Sequence, residues 1–300
     1  MARISGPGTD KFVQGQFTQH VDEVTNEQSL RAAACTHKGR TYCLTRLVRS
    51  GEDLLMDFNT SQAEATITHL KKYLMLFRGT TLETLSAGRI IGLIGKAAAV
   101  SVGGEEADSL TGPGQVLKVG DSHLIRIENT ADHTARYEWW QATTEQPVPE
   151  DIPEITPEQW LASSISAGVP WLTEASQEAY VPQMLNLQHL QGVHFKKGCY
   201  TGQEVIARMH FLGQLKKSLH RLSFNNAHQA PNVGTKLLAD GKAVGEVVNA
   251  LMTGDLNGEM LAVIRHDASS KVLSLDGMDK VTISLQQLPY AVPEQLPSET

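Results

Sequence analysis

An α+β protein with a β-rich C-terminal part is what the 300-residue sequence predicts, on three observations. Strand-like alternation and helical spacing interleave through the first two thirds. Helical periodicity stops after Gly213, and five or six short β-rich runs follow it. Thr41 to Val48 and Asp53 to Phe58 read as strands around the Ser50-Gly51-Glu52-Asp53 turn. After Asn59 or Thr60, Ile67, Leu70, Leu74 and Phe77 line one face of a helix. Val116 to Val119, His123 to Ile127 and Tyr137 to Gln141 read as further strands, punctuated by glycine-rich segments such as Val102 to Glu105. Glu145 to Gln159 is rich in proline and acid and reads as an extended connector. At its end Thr156, Pro157 and Gln159 spell a capped helix start, with Gly168 as the stop. The later strands are Leu219 to Phe224, Thr235 to Ala239, Ala243 to Ala250, Leu261 to Arg265, Val272 to Leu275 and Val281 to Leu285. Asp240-Gly241 is a two-residue hairpin signal between the second and third of these. Residues 291–300 carry two prolines and no pattern, and read as a loose tail.

Composition bounds the function. A hydrophobic content of 41% supports a large core and about two domains. No run approaches the roughly 18 apolar residues of a membrane span, and MARISGPGTD lacks the apolar core of a secretory signal, so a cytoplasmic protein is expected. Cys35, Cys43 and Cys199 form no CxxC pair, which argues against a disulfide framework. Cys35, His37 and Cys43 match no standard zinc spacing, and His194, His210 and His220 are scattered, so no metal site is expected. A net charge of −7 disfavours general DNA or RNA coating. Positive charge is nonetheless concentrated in two segments, Arg31 to Arg49 and Lys196 to Arg221, which suggests a local anionic ligand.

The most informative stretch is KKGCYTGQEVIARMHFLG, Lys196 to Gly213. Thr201 and Glu204 fit a capping box, and Val205, Ile206, Met209 and Leu212 share a helical face behind it. Cys199 would then lie beside a positive helix end, with Lys196 and Lys197 favouring its thiolate. The alternative is a small buried hydrophobe in a tight turn. Trp160, in the first turn after Thr156, is either core packing or a flat face for a planar heterocycle.

The string YVPQMLNLQHLQGVHFKKGCYTGQEVIARMHFLGQLKK, Tyr180 to Lys217, resembles the folate-binding YgfZ family, a bacterial branch of the family containing the glycine-cleavage T protein. ISGPGTDKFVQGQFTQHV, CTHKGR, EQWLASSISAGVPWL and LPYAVPE extend the resemblance over most of the chain. It implies two ferredoxin-like α+β subdomains around a central folate pocket in residues 1–212, the second at roughly 80–150, followed by a C-terminal β-barrel at 213–290. It also implies binding of tetrahydrofolate or a derivative, and support of iron–sulfur enzymes, including those that methylthiolate tRNA. Carried over residue by residue, Cys199 is the redox or nucleophilic candidate, Lys197 its support and Trp160 the folate contact. Gly198, Tyr200, Thr201, Gly202, Gln203 and Glu204 complete the motif; Arg31, Arg40 and Arg208 are candidates to hold the anionic tail. Relatives usually have a longer N-terminus with a second aromatic near the ligand, whereas this chain opens almost directly at ISGPG. Aminomethyl-transferring relatives place a carboxylate pair where this chain has Tyr42-Cys43, which disfavours T-protein chemistry. A folate-dependent one-carbon transferase or oxidase and a direct tRNA-binding module are the competing functions.

Overall fold

The computed structural model describes residues 1–143, 146–213 and 215–292. The chain begins with β1 (Ala2–Ser5), α1 (Thr9–Gln16), β2 (Leu30–Cys35), β3 (Thr41–Ser50), β4 (Asp53–Met56), α2 (Ala63–Leu74) and β5 (Thr81–Thr84). Next come β6 (Arg89–Ile94), α3 (Lys96–Gly103), β7 (Val116–Val119), β8 (Ser122–Ile127), β9 (Arg136–Gln141) and α4 (Pro157–Ser166). After α5 (Gln203–Phe211), the described residues hold only strands and one short 3-10 turn: β10 (Lys217–Asn225), β11 (Lys236–Ala239), β12 (Lys242–Met252), β13 (Asn257–Arg265), β14 (Ser274–Leu275) and β15 (Thr282–Gln286).

These strands build three antiparallel sheets, and the α+β class holds. The first runs β2-β3-β4-β1-β5, the second β6-β9-β8-β7, and the third β14-β11-β12-β13-β10-β15. The third is a curled half-barrel. Its β11–β12 connection is the expected Asp-Gly turn, with φ of 51° at Asp240 and 72° at Gly241, the positive pair that a two-residue hairpin with strand-matched twist requires. The capping box of Thr156 and Gln159 forms at α4, and Gly168, at φ 67°, follows the helix end. Gln146 to Thr156 has no helix or strand, as the connector's composition implies; Glu145 and residues 293–300 of the tail lie outside the described residues.

Side-chain alternation divides the core into layers. One face of the first sheet packs Ile4, Leu47, Leu54 and Met56 against Phe12 of α1 and Leu70 of α2. Its opposite face meets the second sheet, where Val48 and Leu55 pack on Ile125, Ile127 and Trp140. The outer side of the second sheet is closed by Ala99 of α3 against Leu93, Leu124 and Trp139. The half-barrel joins through Leu219, Val248 and Leu261, packed on Ile165 of α4 and on Leu172.

One consequence of this burial is titratable. His220 of β10 lies 3.4 Å from the Ser218 hydroxyl, which is itself 3.0 Å from His266. Burial, and secondarily His266, push His220 from 6.5 down to about 4. The unfolded chain therefore binds a proton that the folded chain refuses between about 6.5 and about 4. Stability falls as pH drops through that window, and His220→Gln removes this part of the slope; thermal melts against pH check it.

Candidate functional site

The facing surfaces of the first two sheets are hydrocarbon at one end and ionic at the other. Leu44, Arg46 and Val48 alternate on one face of β3, Arg31 is paired beside Arg46 on β2, and Asp57 follows β4. From the second sheet, β9 presents Arg136, Glu138 and Trp140, while Glu128 follows β8. Arg31 Nε and Nη2 donate to the two Glu128 oxygens at 2.7 and 2.6 Å. The Arg46 guanidinium lies 3.5 Å from Glu128 and 3.6 Å from Glu138, and its backbone N–H donates to Asp57. Trp140 Nε1 donates to Glu138 at 3.0 Å.

Burial and ionic partners compete at Glu128 and Arg136. For Glu128, burial raises the carboxyl, but Arg31 and Arg46 together hold it well below the usual carboxylate range. Asp57 has weaker cationic neighbours, so burial and the charge of Glu138 push it up. Burial pulls the Arg136 guanidinium down to about 10 against the attraction of Glu128 and Glu138.

Two cavities flank this layer, and Arg31 alone is common to both linings. The larger, about 350 Å³, is walled by Phe58, Trp160 and Trp171 and carries Asp57, Arg136 and Glu138. Trp160 is half-buried, with its ring 4.5 Å under the Arg136 guanidinium carbon and its indole against Gly92. Arg136 Nε and Gln62 Nε2, both on this cavity's lining residues, are buried with no hydrogen-bond partner. The smaller, about 210 Å³, is lined by Arg31, Arg46, Arg126, Glu128, His189 and Tyr290 among others.

The glycine–cysteine motif stands elsewhere. Lys197 is 6% exposed, and its Nζ donates to the carbonyls of Gln14, Phe17 and Gln19 at 2.7, 2.6 and 2.6 Å while lying 4.8 Å over the Tyr200 ring. Burial pushes this ammonium down to about 7. The three carbonyls act the other way, because a neutral amine has only two protons for them, and we assign the charged form. Lys197 was expected to support a Cys199 thiolate; its three protons are directed to backbone carbonyls. The Thr201–Glu204 capping box is corrected. α5 starts one residue later with Gly202 as N-cap at φ 86°, and the Thr201 hydroxyl faces Gly15 O and Gln16 Oε1, each at 3.5 Å. A Cβ on Gly202 would meet Thr36 O at 2.6 Å, and one on Gly39 would meet Val205 at 2.9 Å, so the CTHKGR turn and the motif fit only as two glycines.

Cys199 and Gly198 are exposed, and Cys199 lines neither cavity. Trp160 and Cys199 are thus not brought together. Tyr200 is buried, Gln203 Nε2 reaches Lys197 O at 3.5 Å, and Glu204 is exposed. Of the helical face behind them Ile206 is buried, but Leu212 is 85% exposed. Among the anion-tail candidates Arg31 reaches the cavities, Arg40 donates to Ala179 O at 2.6 Å, and Arg208 is exposed on α5. Cys35 and Cys43 are buried, and burial pushes the Cys35 thiol up to about 12. Among the described residues there is no group of three or more His, Cys, Asp or Glu poised to hold a metal, and no helix long and apolar enough to cross a membrane. The residues missed from sequence are Arg46, Asp57, Glu128, Arg136 and Glu138; charged residues inside apolar strand alternation were the available signal.

Three sheets in this order, with cavities between the first two, define a fold of the glycine-cleavage T-protein class. Aminomethyltransferase T of the Bartonella henselae glycine cleavage system superposes with a TM-score of 0.70 over 96% of this chain and 82% of that one, at 15% identity, a likeness of fold alone. No family model matches the chain. The tRNA-modifying protein YgfZ of Escherichia fergusonii is 30% identical over 300 residues, covering 98% of this chain and 91% of that protein. Its counterpart in an Escherichia coli strain is 29% identical over 306 residues with the same coverage. The chain belongs to the YgfZ family.

Two substitutions test the geometry. A Cβ at Gly92 would lie 2.5–2.7 Å from three Trp160 ring atoms. Gly92→Ala is expected to tip the indole, shift its emission and cost about 1–3 kcal/mol in urea unfolding. Lys197→Met leaves three carbonyls without their donor and is expected to cost on the order of 3 kcal/mol by the same measurement.

Proposed function

We propose that this protein is a folate-binding accessory factor that supports iron–sulfur enzymes and, through them, the methylthiolation of tRNA in the cytoplasm. Residues 1–212 would form the ligand-binding region, with its second subdomain at roughly 80–150, and 213–290 the C-terminal barrel. The observation that carries the proposal is the larger cavity. Its aromatic walls, Phe58, Trp160 and Trp171, suit a flat heterocycle, and its carboxylates, Asp57 and Glu138, suit the adjacent N–H groups along a pterin edge. The unpartnered Arg136 Nε and Gln62 Nε2 leave donors for the ring's acceptors, so the residues present fit such a ligand. A reduced folate supplies one-carbon units or reducing equivalents when bound. This chain's contribution is to stack the ring on Trp160, orient its edge on Asp57 and Glu138, and exclude water. The names of the relatives support the tRNA link. Cys199, exposed and outside both cavities, is proposed to act on a partner protein rather than on the pterin.

A folate-dependent transferase or oxidase is favoured by one observation: Asp57 and Glu138 bring carboxylates to the cavity although Tyr42-Cys43 lacks them. Turnover of 5,10-methylenetetrahydrofolate by purified protein would establish that reading. Direct tRNA binding has less support, because Arg31, Arg40 and Arg49 of the first basic segment bond to Glu128, the Ala179 carbonyl and Asp10.

Titrating tetrahydrofolate into the protein is expected to quench tryptophan emission, and Trp160→Ala to weaken binding roughly tenfold. Methylthiolated tRNA nucleosides, measured by mass spectrometry, are expected to fall in cells carrying that variant. Unchanged affinity in Trp160→Ala, or no binding to the unaltered protein, would refute the assignment.

A further inference from the structure

Beyond the hydrocarbon of Val48, Leu55 and Trp140, the space between the first two sheets opens into a third cavity of about 390 Å³, within the range of small-molecule sites. Strand alternation sets its walls. Ser50 shares a face of β3 with Val48, and Arg3 stands opposite Leu55 in the β1–β4 ladder, so both face the second sheet. From that sheet His123, paired with Trp140, and Lys118, paired with His123, face back. Asn26 and Asp121 extend the polar lining. Among the described residues, the side chains of Arg3, Asn26, Ser50, Lys118 and His123 make no hydrogen bond. Arg3 holds Asp53 at 3.7 Å through Nε, and its outer nitrogens stay open at 28% side-chain exposure. His123 is 6% exposed; its Nδ1 is sealed, which leaves Nε2 as the edge toward the cavity. Buried polar side chains are seldom left without a partner, and an incoming acceptor would remove the deficit at His123.

We infer that this third cavity binds the phosphate group of a small phosphorylated molecule, with phosphate oxygens on His123 Nε2, Lys118 and Arg3 and the rest of the molecule in the remaining space. Donors that converge from two sheets reach different oxygens of a tetrahedral anion, whereas a carboxylate offers two oxygens on one edge. The fixed charges balance: Arg3 of β1 and Lys118 of β7 stand against Asp53 of β4 and Asp121 of the β7–β8 turn. The added positive charge that a dianion needs comes from His123. Burial first, and Lys118 second, lower this imidazole from 6.5, so it is neutral at pH 7 until the anion draws a proton onto it. A backbone phosphate of folded RNA has no such access, because His123 lies inside the interface.

Calorimetric titration with ribose 5-phosphate, and with sulfate, whose charge does not change near neutral pH, tests this. Both are expected to bind, the ester more tightly. Sulfate affinity is expected to fall about tenfold from about pH 6 to about pH 8, and its heat to vary with the ionisation enthalpy of the buffer, as a proton is taken up. His123→Gln keeps an N–H donor but cannot be charged, and should flatten that pH profile. Lys118→Gln, at an exposed position, should weaken the ester about fivefold. No heat from ribose 5-phosphate with the unaltered protein overturns the site, whatever sulfate does, and so does unchanged affinity in a folded Lys118→Gln variant. Binding of a short RNA without binding of the ester overturns the small-molecule occupant. Competition between ribose 5-phosphate and tetrahydrofolate would put the ester in the aromatic cavity and also overturn it. If His123→Gln does not fold, Lys118→Gln and the sulfate pH profile of the unaltered protein decide.

Discussion

Ionic pairing across the interface between the first two sheets is the constraint on which the site depends. Arg31 and Arg46 from one sheet meet Glu128 and Glu138 from the other, and both cavities open against them. Two unit charges about 4 Å apart attract by roughly 4 kcal/mol at an effective dielectric constant near 20. Removing each ion from water costs several kcal/mol, so such a layer gains little over hydrocarbon of the same volume. Hydrocarbon would have been available: Val48, Leu55, Ile125 and Trp140 fill the same interface a few residues away. What charge provides here, and Val48 and its neighbours do not, is polar cavity walls with both donors and acceptors.

A second constraint fixes the glycine–cysteine motif. The Lys197 ammonium gathers the carbonyls of Gln14, Phe17 and Gln19, which are freed at the end of α1 and in the turn after it. Helix ends leave such carbonyls without intrahelical donors, and a buried ammonium with three protons satisfies three of them. The neighbouring links are backbone-level as well: Thr201 N donates to Gly15 O and His194 N to Thr18 O. The Lys197–Glu204 string is therefore an insert locked into the first sheet's loops, with Gly198, Cys199 and Glu204 left facing solvent.

Much of the fold was legible because its signals are local. The Asp240-Gly241 turn, the Thr156 capping box and the strands from Thr41 to Met56 each follow from a few adjacent residues. α1, β1, β2, β5, β6 and α3 were not foreseen as elements; they are short, and their apolar residues face partners distant in sequence, as Ile4 faces Phe12 and Leu70. The Thr201 cap failed for a tertiary reason: its hydroxyl is turned to Gly15 and Gln16, and the tight approach to Gly39 places Gly202 at the helix start. Trp160 was legible as an aromatic by a pocket, but the pocket's charges were not. Asp57 and Glu138 lie 81 positions apart and acquire meaning only when the sheets meet.

The thiol and the cavities are separate in space but joined by a short set of buried contacts. Gln19, 2% exposed, takes the Lys197 ammonium on its carbonyl while its side-chain amide donates to the carbonyls of Arg31 and Gln191. Arg31 in turn fixes Glu128 and lines both cavities. The Gln19 amide holds the Arg31 backbone carbonyl, so the strand carrying Arg31 and the turn holding Lys197 are packed as one framework. Because Lys197 stands two residues from Cys199, the segment presenting the sulfur is anchored to the same framework that shapes the ligand cavities.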